Sequence, residues 1–325
     1  MKKAEGIRQK AELGKMRSSL CSVLPSSFIL LPSRRSAFTA IELLVAISVL
    51  VVLASILIPY ITMLREADRR TRCEANLQQL RDALHHYADN NKFQYPRVVY
   101  DAVNMPNSYT CFTGADATNP FAPGSSVKPN DVTASLWLLV RDGLVTNTNI
   151  FVCPSTGNSR DPLTDATGRF VKPDQRGNFR RAAFLSYGYS SPFSAAPRYR
   201  MDDTREGDFA ILADKGPAFG KPGPVIGPPQ NAPPLAFVPL NSPNHERAGQ
   251  NVLYADGSIR WERSPYCGVG ASPTVGGDNI YSALERTPLN GQNPPANGIG
   301  YWSPNIGPAW ESDSYLVPAT GEGPP

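Results

Sequence analysis

From Phe38 to Ile61 the chain carries a single charge, Glu42, and a single proline, Pro59. No other feature constrains the fold so tightly. As a helix, about 20 such residues cross the hydrocarbon core of a bilayer. A buried helix of a large soluble protein is the other structure that would use such a run. Glu42 does not abolish the span, because it sits close to the basic end. A carboxylate in lipid is costly and generally has a partner or a function. Glu42 either reaches the headgroups or awaits a positive charge.

Charge placement orients the span. Residues 1–37 hold eight Lys and Arg against Glu5 and Glu12, a net +6, whereas the whole chain is +4. The remaining residues therefore carry −2, and the basic character belongs to the leader. A nucleic-acid binder needs a basic face on its folded domain, and this balance gives no support for one. The positive-inside rule keeps the leader cytoplasmic and sends the large C-terminal part out. The stretch "READRRTR" beyond the span opposes that choice, diluted by Glu66 and Asp68. An ordinary secretory signal ends in a small-residue cleavage site; here charged helix formers follow instead.

The residues "RRSAFTAIELL" resemble the prepilin-type processing motif of type IV pilins and type II secretion pseudopilins. The resemblance implies a cut between Ala37 and Phe38, where the family has Gly before the cut, followed by N-methylation of Phe38. It implies a prepilin peptidase/N-methyltransferase, homologous pseudopilins and an inner-membrane secretion platform as partners. Glu42 falls at the family's glutamate and Pro59 where many members carry a helix-distorting proline. Phe38, Glu42 and Pro59 then serve assembly, with Glu42 pairing to the amino terminus of a neighbouring subunit. A buried ion pair of that kind is tolerable where a lone carboxylate is not.

Beyond the span, Cys73, Leu77, Leu80, Leu84 and Tyr87 recur at helical spacing and mark one apolar face. Asn90, Asn91 and Pro96 end the pattern. One helix from Phe38 to Asn90 would be about 80 Å long.

The rest reads as sheet and loop. "DVTASLWLLVRDGLV" is a short helix ending near Gly143. Asn149–Pro154, "FRRAAFLSYGYS" and "DFAILAD" are strand candidates. "QNVLYADGSIRWE" is a hairpin with a type I′ turn signal at Asp256–Gly257. "GPAFGKPGPVIGPPQNAPP" is a surface loop. After Tyr281 the periodicity dissolves into Pro, Gly and Asn, which predicts an irregular tail pinned at Trp302, Trp310 or Tyr315.

"NHERAGQNVLYADGSIRW" is similar to the C-terminal H…DG signature, here His245, Asp256 and Gly257, of a pseudopilin-like group of planctomycete-type bacteria. That group also carries segments like "FVCPS" and "SYGY", present here at Phe151–Ser155 and Ser186–Tyr189. His245 and Asp256 could ligate a metal or form an acid–base pair. The bland reading has Asp256 bonding within its turn and His245 fixing a loop against the sheet. No HExxH, CxxC or GxSxG accompanies them, so no enzyme is expected. Calcium is a minor expectation. The resemblance raises it, and Asp202, Asp203, Asp256 and Asp278 offer oxygens without EF-hand spacing.

Past the leader there are four cysteines, Cys73, Cys111, Cys153 and Cys267. Outside the cytoplasm disulfides persist, and four cysteines allow three pairings. Cys111–Cys153 is the expected pair, in turn-rich or strand-edge segments, with Cys153–Cys267 second. Cys73 belongs to a helix face and reads as a buried thiol. Four thiols could also hold zinc, though these are far apart in sequence.

The expectation is therefore an α+β, pilin-like chain, with a long N-terminal helix packed on a mainly antiparallel head with long loops. Its parts would be a cleaved leader (1–37), a transmembrane helix (38–61), an amphipathic stalk (62–91), a head (92–285) and an irregular tail (286–325). Its work would be structural, assembling through its N-terminal helix, Leu43, Leu44, Ile47 and Leu50 included, in a secretion or pilus-like machine of the cytoplasmic membrane, head outward. The alternative is a monomeric, membrane-anchored envelope binding protein for carbohydrate or protein.

Overall fold

A computed structural model describes residues 39–219, 221–225, 232–270, 277–284, 300–303 and 306–319. The expected processing site at Ala37 and Phe38 and the rest of the leader lie outside the described residues. The chain divides into two units, Met1–Leu57 and Ile58–Pro325.

The first helix, α1, runs from Ala40 to Asn90 with Pro59 inside it. Thr39 begins it with a reciprocal cap. The Glu42 backbone N–H donates to Thr39 Oγ1, while Glu42 Oε2 accepts from the Thr39 N–H and hydroxyl at 2.8 and 2.9 Å. Two of the orphan donors of the first turn are satisfied this way. In the first unit Ile41, Leu43, Leu44, Ile47, Leu50 and Leu53 are all exposed. The most apolar window of α1 has a mean hydropathy of 2.9 and none of it is buried. A core helix of a soluble protein would be covered. This helix can act as a single-pass membrane anchor.

In the second unit α1 changes character. Cys73, Leu77, Leu80 and Leu84 are buried and Tyr87 nearly so, on the face their spacing predicts. They join one core with Trp137, Phe151, Phe179, Tyr187, Leu212 and Leu253. Burying each leucine stabilises by about 1.5–3 kcal/mol.

The sheet is antiparallel throughout. Its strands are β1 (Tyr187–Ser190), β2 (Ala210–Asp214), β4 (Gln250–Tyr254), β5 (Ile259–Glu262) and β8 (Leu316–Val317), in the order β5-β4-β2-β1-β8. A smaller sheet pairs β3 (Gly223–Val225), β7 (Gly300–Trp302) and β6 (Ala283–Leu284). The short helix α2, Val132–Arg141, is capped by Asp131, whose side chain accepts from the Ala134 N–H at 2.8 Å. The fold is thus α+β, with one long apolar N-terminal helix and an antiparallel sheet.

Three local expectations change. Asn149–Pro154 is not a strand; Thr148–Phe151 forms a 3₁₀ turn, because the Asn147 side chain accepts the Asn149 N–H at 3.0 Å and starts a turn there. The β4–β5 hairpin does not use a type I′ turn. Only Gly257 of the two turn residues has positive φ (79°), and Gly257 N–H bonds the Tyr254 carbonyl while Tyr254 N–H bonds Ser258. That is a type I turn closed by a glycine bulge. The tail is not simply irregular, since β8 pairs with β1 and Tyr315 is fully buried.

Candidate metal centre

Four chemically reactive side chains from four separate parts of the sequence meet under the sheet. Cys73 comes from the buried face of α1. Cys153 follows the 3₁₀ turn, where the Thr156 N–H and hydroxyl both bond its carbonyl. Asp214 ends β2. His245 sits in the loop before β4. One ligating atom from each lies within 4.8 Å of all the others, and all four residues are completely buried.

The contacts are direct. Cys73 Sγ donates to Asp214 Oδ1 at 3.2 Å. Cys153 Sγ lies 3.3 Å from His245 Nε2. His245 Nε2 is 3.5 Å from Asp214 Oδ2. The closest pair of cysteine sulfurs is 3.6 Å apart.

A second layer fixes each of these groups from outside. His245 Nδ1 bonds Glu66 Oε1 at 2.6 Å, and Ser155 Oγ donates to the same carboxylate. Asp214 accepts from Asn244 Nδ2 and from the Asn251 N–H, both at 2.8 Å. The Tyr187 hydroxyl lies 3.3 Å from Cys73 Sγ and accepts from Asn76 Nδ2. The His245 ring stands edge-on to Trp261, over which the Arg70 guanidinium lies at 4.1 Å.

The loop that delivers His245 is strained. His245, Glu246 and Arg247 all take positive φ (55°, 57° and 63°), which L-residues avoid. Such a conformation persists only where its surroundings over-determine it. Here Asn241 Nδ2 bonds the Arg247 carbonyl, Ser242 Oγ bonds the Lys215 carbonyl, and Asn244 bonds Asp214 and the Ser186 carbonyl. Gly249 then turns the chain into β4 with φ of 156°, where a Cβ would fall 2.4 Å from the Glu262 carbonyl oxygen.

The titratable groups of the cluster shift one another. Burial pulls the His245 imidazole down, but the hydrogen bond to Cys153 and the charge of Asp214 outweigh it and raise its pKa to about 9. Burial pushes Glu66 up, yet its bonds from His245 and Ser155 hold it below the usual carboxylate range. The hydrogen bond from Cys73 lowers Cys153, while burial pushes Cys73 well up. Two sulfurs, an imidazole and a carboxylate form a donor set suited to a borderline-soft divalent ion.

His245 and Asp256 are placed at different jobs. Asp256 is partly exposed, accepting from the Ser258 N–H and pairing with Arg260. His245 turns instead to Glu66, Cys153 and Asp214. Among the described residues, Asp202, Asp203, Asp256 and Asp278 do not gather into a cluster of ligating atoms. Asp202 bonds Thr204, and Asp278 bonds Ser314. Pro59 lies inside α1, and the carboxylate of Glu42 is engaged locally by Thr39. Sequence reasoning missed Asp214 and Glu66. The one available signal for Asp214 was an aspartate ending an otherwise apolar strand.

The expected Cys111–Cys153 disulfide is absent, and none of Cys73, Cys111, Cys153 and Cys267 is bridged. The Cys153 sulfur is turned inward to His245, and its cysteine neighbour is the helix residue Cys73. Even the 3.6 Å sulfur pair is far from the 2.05 Å of a disulfide bond.

Comparisons with family models, characterised proteins and solved structures found no match to the chain. The labels pseudopilin, type II secretion and prepilin-peptidase substrate, carried by the sequence resemblance, are therefore not supported by any relative and are set aside.

Proposed function

We propose that the chain is a membrane-anchored binding protein whose head takes up a metal ion. One observation carries this reading. The ligating atoms of Cys73, Cys153, Asp214 and His245 converge within 4.8 Å in a fully buried setting. Buried groups of this kind are retained where they are paired or coordinate a metal. The α1 span provides the anchor. The net charge of the leader argues that residues 1–37 stay on the cytoplasmic side and the head faces outward.

The test uses the full chain extracted from membranes in detergent. Elemental analysis after exhaustive dialysis is expected to give one transition-metal ion per chain. The double variant C73S/C153S is expected to give none. A wild-type chain that stays metal-free after incubation with zinc, cobalt and copper would end this reading. Protease treatment of intact and permeabilised cells locates the head.

A second reading, association through the N-terminal helix, has its own observation. From Leu43 to Leu53 the exposed side chains are apolar on every face of the helix apart from Ser48, whose hydroxyl bonds the Val45 carbonyl. In a bilayer that surface suits lipid and neighbouring helices alike.

A further inference from the structure

Resting on the metal-binding reading above, we infer that the ion is of the zinc class, held in closed four-coordination by Cys73, Cys153, Asp214 and His245. It acts as a structural clamp that fastens helix α1 to the sheet and to two loops.

Geometry comes first. A tetrahedral ion with bonds of about 2.0–2.3 Å sets its ligand atoms about 3.3–3.8 Å apart. The observed separations are 3.2 Å for Cys73–Asp214, 3.3 Å for Cys153–His245, 3.5 Å for His245–Asp214 and 3.6 Å for the sulfur pair. They link the four residues in a closed ring, with Cys73 and His245 each meeting a different oxygen of Asp214, and one ligand atom from each residue lies within 4.8 Å of all the others.

Closure is the second point. A catalytic zinc site keeps a position open for water or substrate, whereas a structural one is filled by four protein ligands. Here four protein ligands are present and all are buried. The open cleft of the head, lined by Asn91, Tyr95, Arg97, Tyr100 and Phe121, shares no residue with the cluster.

The outer layer is the third. A ligating histidine generally donates its other ring N–H to a carboxylate, which fixes the tautomer. Glu66 stands at His245 Nδ1 at 2.6 Å and leaves Nε2 for the ion. Asn244 and the Asn251 N–H similarly hold the Asp214 carboxylate in place.

Placement in the chain explains what the ion would do. Its ligands come from α1, from the segment after the 3₁₀ turn, from the end of β2 and from the strained loop before β4. Because such a site does not exist in the unfolded chain, the free energy of binding becomes free energy of folding. In an oxidising compartment two adjacent thiols are exposed to disulfide formation. Coordination holds them as thiolates without a sulfur–sulfur bond.

The experiment begins with detergent-extracted full-length protein reconstituted with Co²⁺ in place of the native ion. The expected result is intense tetrahedral ligand-field bands together with thiolate-to-cobalt charge transfer. Zinc should resist a chelator in the native protein and leave only when denaturant opens the head, and the stripped protein should melt at a lower temperature. The variant E66Q keeps all four ligands. It should fold and bind zinc about 10- to 100-fold more weakly. Metal that binds with thiolate charge transfer but exchanges freely and leaves the melting temperature unchanged would overturn the clamp while preserving the binding reading. An octahedral spectrum without thiolate bands would overturn the site. A Cys73–Cys153 disulfide found by mass spectrometry in native protein would also overturn it. Failure to bind any of the metals would remove both readings together.

Discussion

Glu42 and Glu66 lie on one helix and are held by opposite rules. Glu42 is exposed and takes both its donors from Thr39, three residues away. Glu66 is buried; Arg69 and Arg70 of its own helix lie 3.5 and 3.9 Å away, but its shorter bonds go to Ser155 and His245, 89 and 179 positions distant. The first arrangement needs only that a helix begin at Ala40. The second exists only after two distant loops have closed over the helix. The same residue type is thus a local device in one region and a tertiary one in the other. Changes at the first should be invisible to the head, and changes at the second should not.

That contrast can be broken most forcefully at Asp214. Asp214→Ala strips partners from Cys73, Asn244 and the Asn251 N–H in a fully buried setting. Breaking a buried charged pair costs about 3–5 kcal/mol. Urea unfolding of the head should show a loss of that size. A loss under about 1 kcal/mol would mean the cluster is not what organises the head.

Glu66→Ala comes next. It leaves His245 Nδ1 and Ser155 Oγ without their acceptor, at a cost of about 1–3 kcal/mol. The same urea titration measures it. If Glu66→Ala proved as mild as a change at Glu42, the distinction between the two glutamates would collapse.

Thr39→Ala tests the local side. Loss of the cap should destabilise the start of α1 by about 1 kcal/mol. Amide exchange at residues 40–43 should quicken, and the unfolding midpoint of the head should not move. A shift in that midpoint would show that the two regions are coupled.

The smallest effect is expected from Glu42→Gln. A glutamine at this position still completes the cap, so helix stability should change by less than about 0.5 kcal/mol. This variant sharpens the question of association, because it removes charge and little else. If crosslinked multimers seen with the wild-type chain disappear in the variant, the charge serves contacts between helices. If they persist, the residue is a cap and nothing more.

What the sequence determined by itself was whatever depends on neighbours along the chain. The apolar run from Phe38 to Ile61 specifies a span by length and composition. The spacing of Cys73, Leu77, Leu80, Leu84 and Tyr87 specifies a buried helix face, because 3.6 residues per turn is a local property. Asp131 and Gly143 bracket α2, and Gly257 marks a hairpin, since caps and turns bond within a few residues. The exact turn type was lost because one residue of bulge separates two hairpins with similar sequences. Tertiary structure alone decided the rest. The tail strand β8 has little periodicity in two residues, and it forms because β1 offers an unpaired edge. Cys153 looked ready for a disulfide with Cys111, but cysteine pairing is set by where the chain brings sulfurs, and spacing carries no such information. Asp214, His245, Cys153 and Cys73 share no motif. Only the closing of sheet, loop and helix on one another brings four side chains that lie far apart in sequence within 4.8 Å.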